Sequence, residues 1–272
     1  MKTRLLTIVA TRIILSMMLV GLTCSTLAQG VIIYKSNGTQ EKLPYVAIDS
    51  IIPYYGDKNP VPLEEAKAVD LGLPSGTLWA DRHVGAAAPE GLGGYYAFGE
   101  TAEKATYTWS AYMCGESECG TSADPLFADG MLQVGEQWGV KTYSGSIAGT
   151  KYDVATQLWD DSWVMPTYEQ YQELFENCTV EWVYINNVAC KEFKGPNGNT
   201  VIFPVRGGYK VDLETKFNTD YSFSSYLWID KFYHYSGGEA SYANITNTSQ
   251  ILESYSHKSR NCGLQVRPVK KK

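Results

Sequence analysis

The sequence predicts an α+β protein, in which short mixed strands and two helices form the main domain and a small β-hairpin precedes it. Three observations support this fold class. A capped, amphipathic segment follows Pro166. Elsewhere, short apolar runs are interrupted by Gly, Asn and Pro. Near the N-terminus an Asn37-Gly38 pair, which suits a tight turn, lies between two extended stretches.

The first 28 residues have the layout of a secretory signal peptide. Basic residues precede a mainly apolar run at 13–22, and the small residues Thr26 and Ala28 precede a cleavage position. The apolar run is shorter than the ~20 residues that a membrane-spanning helix needs, and no later run is long enough, so we expect no transmembrane anchor in the mature chain. Cleavage after Ala28 predicts export to the cell envelope, the cell surface or the medium. The alternative is a lipoprotein attached through Cys24.

The chain after the signal peptide is expected to have three parts. Residues 29–55 predict a β-hairpin whose second strand includes the apolar positions of 45–52. An isolated two-stranded hairpin is marginally stable in water, so this one is expected to pack on something or to pair with a partner. Residues 56–65, which are rich in Gly, Pro and Asn, predict a linker, and 66–272 form the main domain.

Two helices are predicted inside the main domain. Thr167 is a good N-cap, and Gln170 three residues later completes a capping box. The apolar positions that would face the core recur at helical spacing: Tyr171, Leu174, Phe175 and Cys178. A shorter helix is expected to begin after Asp153, which is also a good N-cap, and to run to Trp159.

The pattern after Cys178 is typical of strands. Two extended pieces surround Asn186-Asn187, residues 195–199 form a turn, and the nearly continuous apolar run at 200–205 predicts a buried strand. Further strands are expected at 226–229 and 240–245, and a closing strand is expected at 263–269.

The charge balance argues against a nucleic-acid partner. The whole chain has a formal net charge of −6, and removal of residues 1–28 would leave 20 basic against 29 acidic residues, a net charge of about −9. A basic stripe that would follow a phosphate backbone is missing from the sequence, and the only basic run is the tail 270–272.

Five cysteines remain in the predicted mature chain: Cys114, Cys119, Cys178, Cys190 and Cys262. An exported chain can form disulfides, but an odd number leaves one thiol unpaired. The first two could close a small loop, and the next two flank a predicted hairpin. The alternative is that most of them are small buried apolar side chains. The spacing contains no zinc-site pattern.

Six sequence blocks in the main domain resemble a known family. They are AVDLGLPSGTLWA at 68–80, GYYAFGET at 94–101, DVAT at 153–156, WVMPT at 163–167, NGNTVIFP at 197–204 and GLQVRPV at 263–269. Their order and content resemble the Fibrobacter succinogenes major paralogous domain, which is common in Bacteroidetes surface proteins. The resemblance covers about residues 66–270, and the segment ahead of it is similar to a short hairpin that often precedes such domains.

The resemblance implies a C-type-lectin-like fold, with two helices, short mixed strands and adjacent chain ends. Proteins of that fold include ligand-binding proteins whose variable residues precede the C-terminal strand, and formylglycine-generating enzymes. Two positions depart from the family pattern. Val164 stands where the family usually has Arg, and residues 226–230 replace the usual Tyr-Trp-Ser-Ser block.

The sequence contains no recognisable catalytic motif, so we expect a protein that is not an enzyme and needs no metal or cofactor. The three His lie in no nucleophile or metalloprotease pattern. The segment 195–197 lacks the carboxylate of a calcium-dependent sugar site. A formylglycine-generating type of oxidase is the enzymatic alternative, and it would need a copper-binding thiol pair, for which Cys178 and Cys262 lack any supporting motif.

Aromatic and polar side chains cluster before the closing strand, and the resemblance places this segment on the ligand-facing side. Tyr and Trp offer rigid contact area with a polar handle, which suits recognition. We therefore predict a binding or adhesion module for glycan or protein ligands. The alternative is a structural envelope or fimbria-associated subunit without a small ligand, whose hairpin donates or accepts a strand. The candidate ligand-binding residues are Trp228, Asp230, Tyr233, His234, Tyr235, Glu239, Tyr255, His257 and Arg260.

Overall fold

The chain divides into two compact units, residues 1–61 and 62–272. The boundary falls inside the stretch that the sequence predicts as a linker. The computed structural model describes residues 30–34, 40–44, 65–115, 120–212, 214–216, 223–246, 249–251 and 256–270. The predicted signal peptide, the lipid-attachment alternative at Cys24 and most of the predicted linker lie outside the described residues.

The first unit contains the predicted hairpin. Strand β1 (Gly30–Tyr34) pairs antiparallel with β2 (Gln40–Pro44), and the register runs from Gly30↔Pro44 to Tyr34↔Gln40. The second strand therefore begins earlier than predicted, and the expected strand at 45–52 lies outside the described residues. The turn predicted at Asn37-Gly38 lies outside the described residues.

A small antiparallel sheet joins the two ends of the second unit. Its strands are β3 (Ala68–Asp70), β4 (Leu78–Ala80), β7 (Trp163–Val164) and β17 (Val269–Lys270). The order is β3-β4-β17-β7, with Val269 opposite both Trp79 and Val164. The last described residues therefore pair with a strand near the start of the unit, so its chain ends are adjacent.

The two predicted helices are present and begin where their caps predict. Helix α2 (Val154–Leu158) begins after Asp153, whose carboxylate accepts a hydrogen bond from the backbone N–H of Ala155. Helix α3 (Tyr168–Asn177) begins with the complete capping box of Thr167 and Gln170. A short helix α1 (Pro125–Ala128) and a 3₁₀ turn at Trp109–Ala111 were not predicted. No helix in the described part of the chain is long and apolar enough to cross a membrane.

The strands after α3 form a three-stranded antiparallel sheet. Strands β8 (Thr179–Ile185), β9 (Val188–Lys194) and β10 (Thr200–Pro204) are arranged in the order β10-β9-β8. The two extended pieces predicted around Asn186-Asn187 are confirmed as β8 and β9. Both Asn residues have positive φ, the conformation that a two-residue hairpin turn requires. Strand β10 lies at an edge of this sheet, which is compatible with Pro204 at its end.

Three further hairpins and two short strands complete the described elements. They are β5 (Gln133–Gln137) with β6 (Val140–Ser144), β11 (Tyr209–Val211) with β12 (Glu214–Lys216), and β13 (Ser224–Tyr233) with β14 (Ser236–Thr246), while β15 (Gln250–Ile251) and β16 (His257–Ser259) both pair with β14. The described part of the chain is strand-rich with three α-helices, which is compatible with the predicted α+β class.

The expected closing strand at 263–269 is only partly regular. Its first residues make isolated bridges to three different neighbours: Gly263 to Lys210, Leu264 to Tyr96 and Gln265 to Leu227. Only Val269 and Lys270 continue as a ladder strand. Because these bridges go to three different neighbours, the prediction of one continuous strand is wrong. The segment 263–269 is buried throughout.

The cysteines of the described residues divide into two kinds. Cys178, Cys190 and Cys262 are free thiols, and burial raises the pKa of each to about 11. They therefore act as small apolar side chains rather than as nucleophiles. Cys114 is disulfide-bonded. Cys119 lies outside the described residues.

Candidate ligand-binding surface

The structure separates the predicted ligand-binding residues into a buried set and an exposed set. Trp228, Asp230 and Arg260 are buried, so the prediction that they face the solvent is wrong. Trp228 packs edge-to-face on Phe98, with ring centroids 5.5 Å apart, and its indole N–H donates to the backbone carbonyl of Tyr96 at 2.7 Å. A large apolar ring with its single polar group satisfied inside the protein is a core residue.

Arg260 is buried because it has a buried counter-ion. Its guanidinium donates to the carboxylate of Asp124, and both side chains are completely inaccessible to solvent. The guanidinium carbon also lies 5.4 Å from the centroid of the Phe232 ring and 5.5 Å from that of Tyr112. These contacts make Arg260 part of the scaffold below the surface.

Asp230 is fixed at a point where three segments meet. Its backbone N–H donates to the carbonyl of Pro166 at 3.0 Å, and its carbonyl accepts from the N–H of Ile147 at 2.9 Å. Its carboxylate accepts a hydrogen bond from the hydroxyl of Ser146. Asp230 therefore ties β13 to the chain before α2 and before α3, which is a structural role.

Burial controls the protonation of Asp230. The pKa of this carboxyl is raised to about 6, mainly because burial removes it from water; Ser146 and Lys231 lower the pKa, and the carboxylates of Glu169 and Asp153 raise it. The folded protein therefore binds this proton more tightly than the unfolded chain does. The stabilisation is complete below the ordinary pKa of 3.8 and is lost as the pH rises through about 6.

We expect the variant Asp230→Asn, which cannot ionise, to gain stability relative to the wild type as the pH rises. The difference in free energy of unfolding should grow between about pH 4 and about pH 7 and reach at most about 3 kcal/mol. Urea denaturation of both proteins across this pH range measures it. Parallel stability profiles would show that Asp230 titrates normally in the folded protein.

The remaining described candidates lie together at the end of the β13–β14 hairpin. The ring of Tyr233 stacks on that of His257, with centroids 3.8 Å apart and planes 17° apart. Nδ1 of His257 lies 2.9 Å from Oε1 of Glu239. His234 and Tyr235 form the turn, and their rings meet edge-to-face at 4.7 Å. Tyr235 is 42% exposed. The structure brings these five side chains into one cluster, as predicted. Tyr255 lies outside the described residues.

A second hairpin, which sequence reasoning missed, extends this cluster. The turn between β5 and β6 contains Trp138, whose side chain is 87% exposed. Oε1 of Gln137, the preceding residue, lies 3.3 Å from Nε2 of His234, and the backbone N–H of Tyr143 donates to the carbonyl of His234 at 2.7 Å. A Trp138-Gly139 pair between alternating residues could have indicated the turn. We call Trp138, Tyr233, His234, Tyr235 and His257 the aromatic surface.

Close packing fixes the two hairpins relative to one another. A Cβ atom at Gly237 would lie only 2.7 Å from Cε1 of Tyr143, so only glycine permits the β13–β14 turn to approach β6 this closely. An isolated β-bridge between Ser146 and Lys231 also joins the segment after β6 to β13. The aromatic surface is therefore carried by a rigid pair of hairpins.

A cavity of ≈ 330 Å³ lies beside His234. Its walls include Tyr143, Tyr168 and Lys231. Nζ of Lys231 lies 5.4 Å from the centroid of the Tyr168 ring and 3.4 Å from Oε1 of Glu169. The site can thus offer aromatic faces, a cation and a His side chain to a ligand.

Among the described residues, no group of three or more His, Cys, Asp or Glu side chains is arranged to hold a metal ion. The pair of His257 and Glu239 has the stacked Tyr233 beside it and no nucleophile in the contacts described above.

No protein-family model, no curated protein and no solved structure matches this chain.

Proposed function

We propose that the protein is an exported cell-envelope module that binds a glycan or protein ligand through the aromatic surface. One observation carries the proposal: Trp138 is 87% exposed at the tip of a hairpin, next to a second hairpin tip that exposes Tyr235. Exposed aromatic side chains grouped on a rigid support are typical of binding surfaces, where Trp and Tyr dominate the binding energy.

The backbone at Trp138 strengthens this argument. Trp138 has φ +52° and Gly139 has φ +77°, so both turn residues adopt the left-handed conformation. Asn or Gly is strongly preferred there, and a bulky side chain costs about 1–2 kcal/mol. Trp138 lowers stability through its backbone conformation and contacts mainly water, so folding stability does not account for a Trp at this position. A contact between its side chain and a ligand explains it best.

The shape of the surface favours a protein ligand over a glycan. Val140, which is 53% exposed, lies two residues after Trp138 on the same hairpin. A protruding indole with an aliphatic neighbour fits into a hydrophobic pocket of a partner, as interface anchor residues do. A glycan would instead stack on an open ring face, as Tyr235 offers, and the experiment below distinguishes the two.

The C-type-lectin-like fold and membership of the Fibrobacter major paralogous family are part of the same proposal. Support comes from the adjacent chain ends in the β3-β4-β17-β7 sheet and from the two predicted helices: α2 begins inside the block at 153–156, and α3 follows the block at 163–167. Export is supported by the layout of residues 1–28.

We expect Trp138→Asn to weaken ligand binding at least about tenfold while leaving the protein as stable as the wild type or slightly more stable. The measurement is binding of the fluorescently labelled protein to host and bacterial cells, with urea denaturation of the same samples. Protease treatment of the cells should remove binding if the ligand is a protein, and periodate treatment should remove it if the ligand is a glycan.

Tyr184→Ser is the matched control, because Tyr184 is a 65% exposed aromatic residue on β8, outside the aromatic surface. It should bind like the wild type, and Tyr235→Ser should be weakened. If Trp138→Asn and Tyr235→Ser bind as well as the control, the aromatic surface is not the binding site.

A further inference from the structure

A larger cleft lies elsewhere on the second unit, and its lining shares no residue with the aromatic surface. Its volume is ≈ 580 Å³, within the usual range for small-molecule sites of about 300–1,000 Å³. One wall is formed by Leu158, Trp159 and Trp163 at the end of α2, and Lys270 of β17 lies against the same wall. Arg82 also lines the cleft.

The wall at the end of α2 is aromatic and partly open to water. Trp159 is the C-cap of α2 and is only partly buried, and the adjacent Leu158 is 49% exposed. The rings of Trp159 and Trp163 meet edge-to-face at 5.2 Å, with planes 82° apart. Nζ of Lys270 lies 4.8 Å from the centroid of the Trp163 ring. The cluster therefore holds Trp159 in place as a fixed apolar surface beside the cleft.

A donor and an acceptor are fixed next to this wall. Lys270 donates one of the three N–H groups of its ammonium to the hydroxyl of Ser162 at 2.9 Å, which leaves donors for a ligand. Asp160 accepts from the backbone N–H of Ser162 at 2.7 Å, and hydrogen bonds from this residue keep the pKa of Asp160 below its usual value. Asp160 is thus an ionised acceptor, held by the same serine as the donor.

Arg82 lines the cleft, but its positive charge is already paired inside the protein. Its guanidinium donates twice to the carboxylate of Asp81, at 2.9 Å each, and once to the carbonyl of Ala87 at 2.6 Å. Its charge is therefore already paired. The lining also includes the carboxylate of Glu65, so the cleft has no excess of positive charge that would select an anion.

We propose that this cleft binds a neutral pyranose sugar. The apolar C–H face of a pyranose ring stacks on Trp159, and its neighbouring hydroxyl groups, each both donor and acceptor, pair with the ammonium of Lys270 and the carboxylate of Asp160. An apolar ligand would displace water from both charged groups without offering them a hydrogen bond. An anionic sugar would be repelled by Asp160 and Glu65. The proposal does not depend on the aromatic surface.

The test is a titration of the full chain with neutral hexoses, N-acetylhexosamines and their disaccharides, followed by tryptophan fluorescence and by saturation-transfer NMR. We expect saturable binding of at least one of them with a Kd of about 0.1–10 mM. Trp159→Ala should weaken it at least about tenfold, and the exposed Asp160→Asn, which leaves the core intact, should weaken it about three- to tenfold. Trp138→Asn, on the aromatic surface, should leave it unchanged.

Three outcomes would overturn the proposal. One is the absence of saturable binding by every neutral saccharide tested up to about 50 mM. Another is tighter binding of uronic acids than of the matching neutral sugars. The third is binding that survives both Trp159→Ala and Asp160→Asn. Loss of cell binding by Trp138→Asn without loss of sugar binding would support both sites, so the failure of one site can be told from the failure of the other.

Discussion

Asp124→Asn is expected to lower the free energy of unfolding by about 3–5 kcal/mol, because it leaves the guanidinium of Arg260 buried without a counter-ion. Both side chains of this ion pair are inaccessible to solvent. Asp124 is also the N-cap of α1, where its carboxylate accepts from the N–H of Leu126 at 3.0 Å. Asn is an equally good N-cap, so the substitution tests the charge pair rather than the cap. Urea denaturation at neutral pH is the measurement.

Asp129→Asn is the matched control for this prediction. Asp129 is the C-cap of the same helix, and its carboxylate lies 2.7 Å from Nζ of Lys151. This ion pair is exposed to water, and such pairs contribute little to stability. We expect almost no change for Asp129→Asn. Equal losses in the two variants would contradict the assignment of Arg260 to the scaffold.

Trp228→Ala is the second substitution with a large expected effect, a loss of about 3–5 kcal/mol in the free energy of unfolding. The substitution leaves a cavity beside Phe98, and it removes the donor to the carbonyl of Tyr96. That carbonyl still accepts from the N–H of Leu264 at 3.1 Å, so the lost packing should dominate. Denaturation curves and near-ultraviolet circular dichroism measure the effect.

Tyr235→Ala is the comparison, because Tyr235 lies on the neighbouring turn and is 42% exposed. Surface substitutions of this kind usually change stability by less than about 0.5 kcal/mol. The two variants should therefore separate stability from binding: Trp228→Ala unfolds easily, and Tyr235→Ala folds normally but binds less. A Trp228→Ala protein as stable as the wild type would show that this ring is not part of the core.

The same strand supplies both the scaffold and the surface. In β13, Trp228 and Phe232 pack inward on Phe98, with ring centroids 5.5 and 5.2 Å away, while Tyr233 at the end of the strand stacks on His257. Strand β13 therefore runs from core rings to a ring of the aromatic surface within a few residues. A surface held in place before binding would lose less conformational entropy when its proposed ligand binds.

Residues close together in the sequence determined the features that were predicted correctly. The capping box of Thr167 and Gln170 sets the start of α3, Asp153 sets the start of α2, and Asn186-Asn187 form the turn between β8 and β9. Each depends on hydrogen bonds or backbone preferences within a few residues, so the local sequence suffices. Tyr233, His234 and Tyr235 cluster for a similar local reason, because they are consecutive in the sequence.

Tertiary structure alone decided which candidates are buried and which surface they share. Arg260 is buried because it pairs with Asp124, which lies 136 positions earlier in the chain. Trp138 joins the aromatic surface because the neighbouring Gln137 contacts His234, which lies 97 positions later. A charged side chain enters the core only with a partner, and a surface patch needs two segments to meet. Both conditions depend on chain pairing that no short stretch of sequence encodes, which is why Arg260 and Trp228 stood among the candidate ligand-binding residues and Trp138 did not.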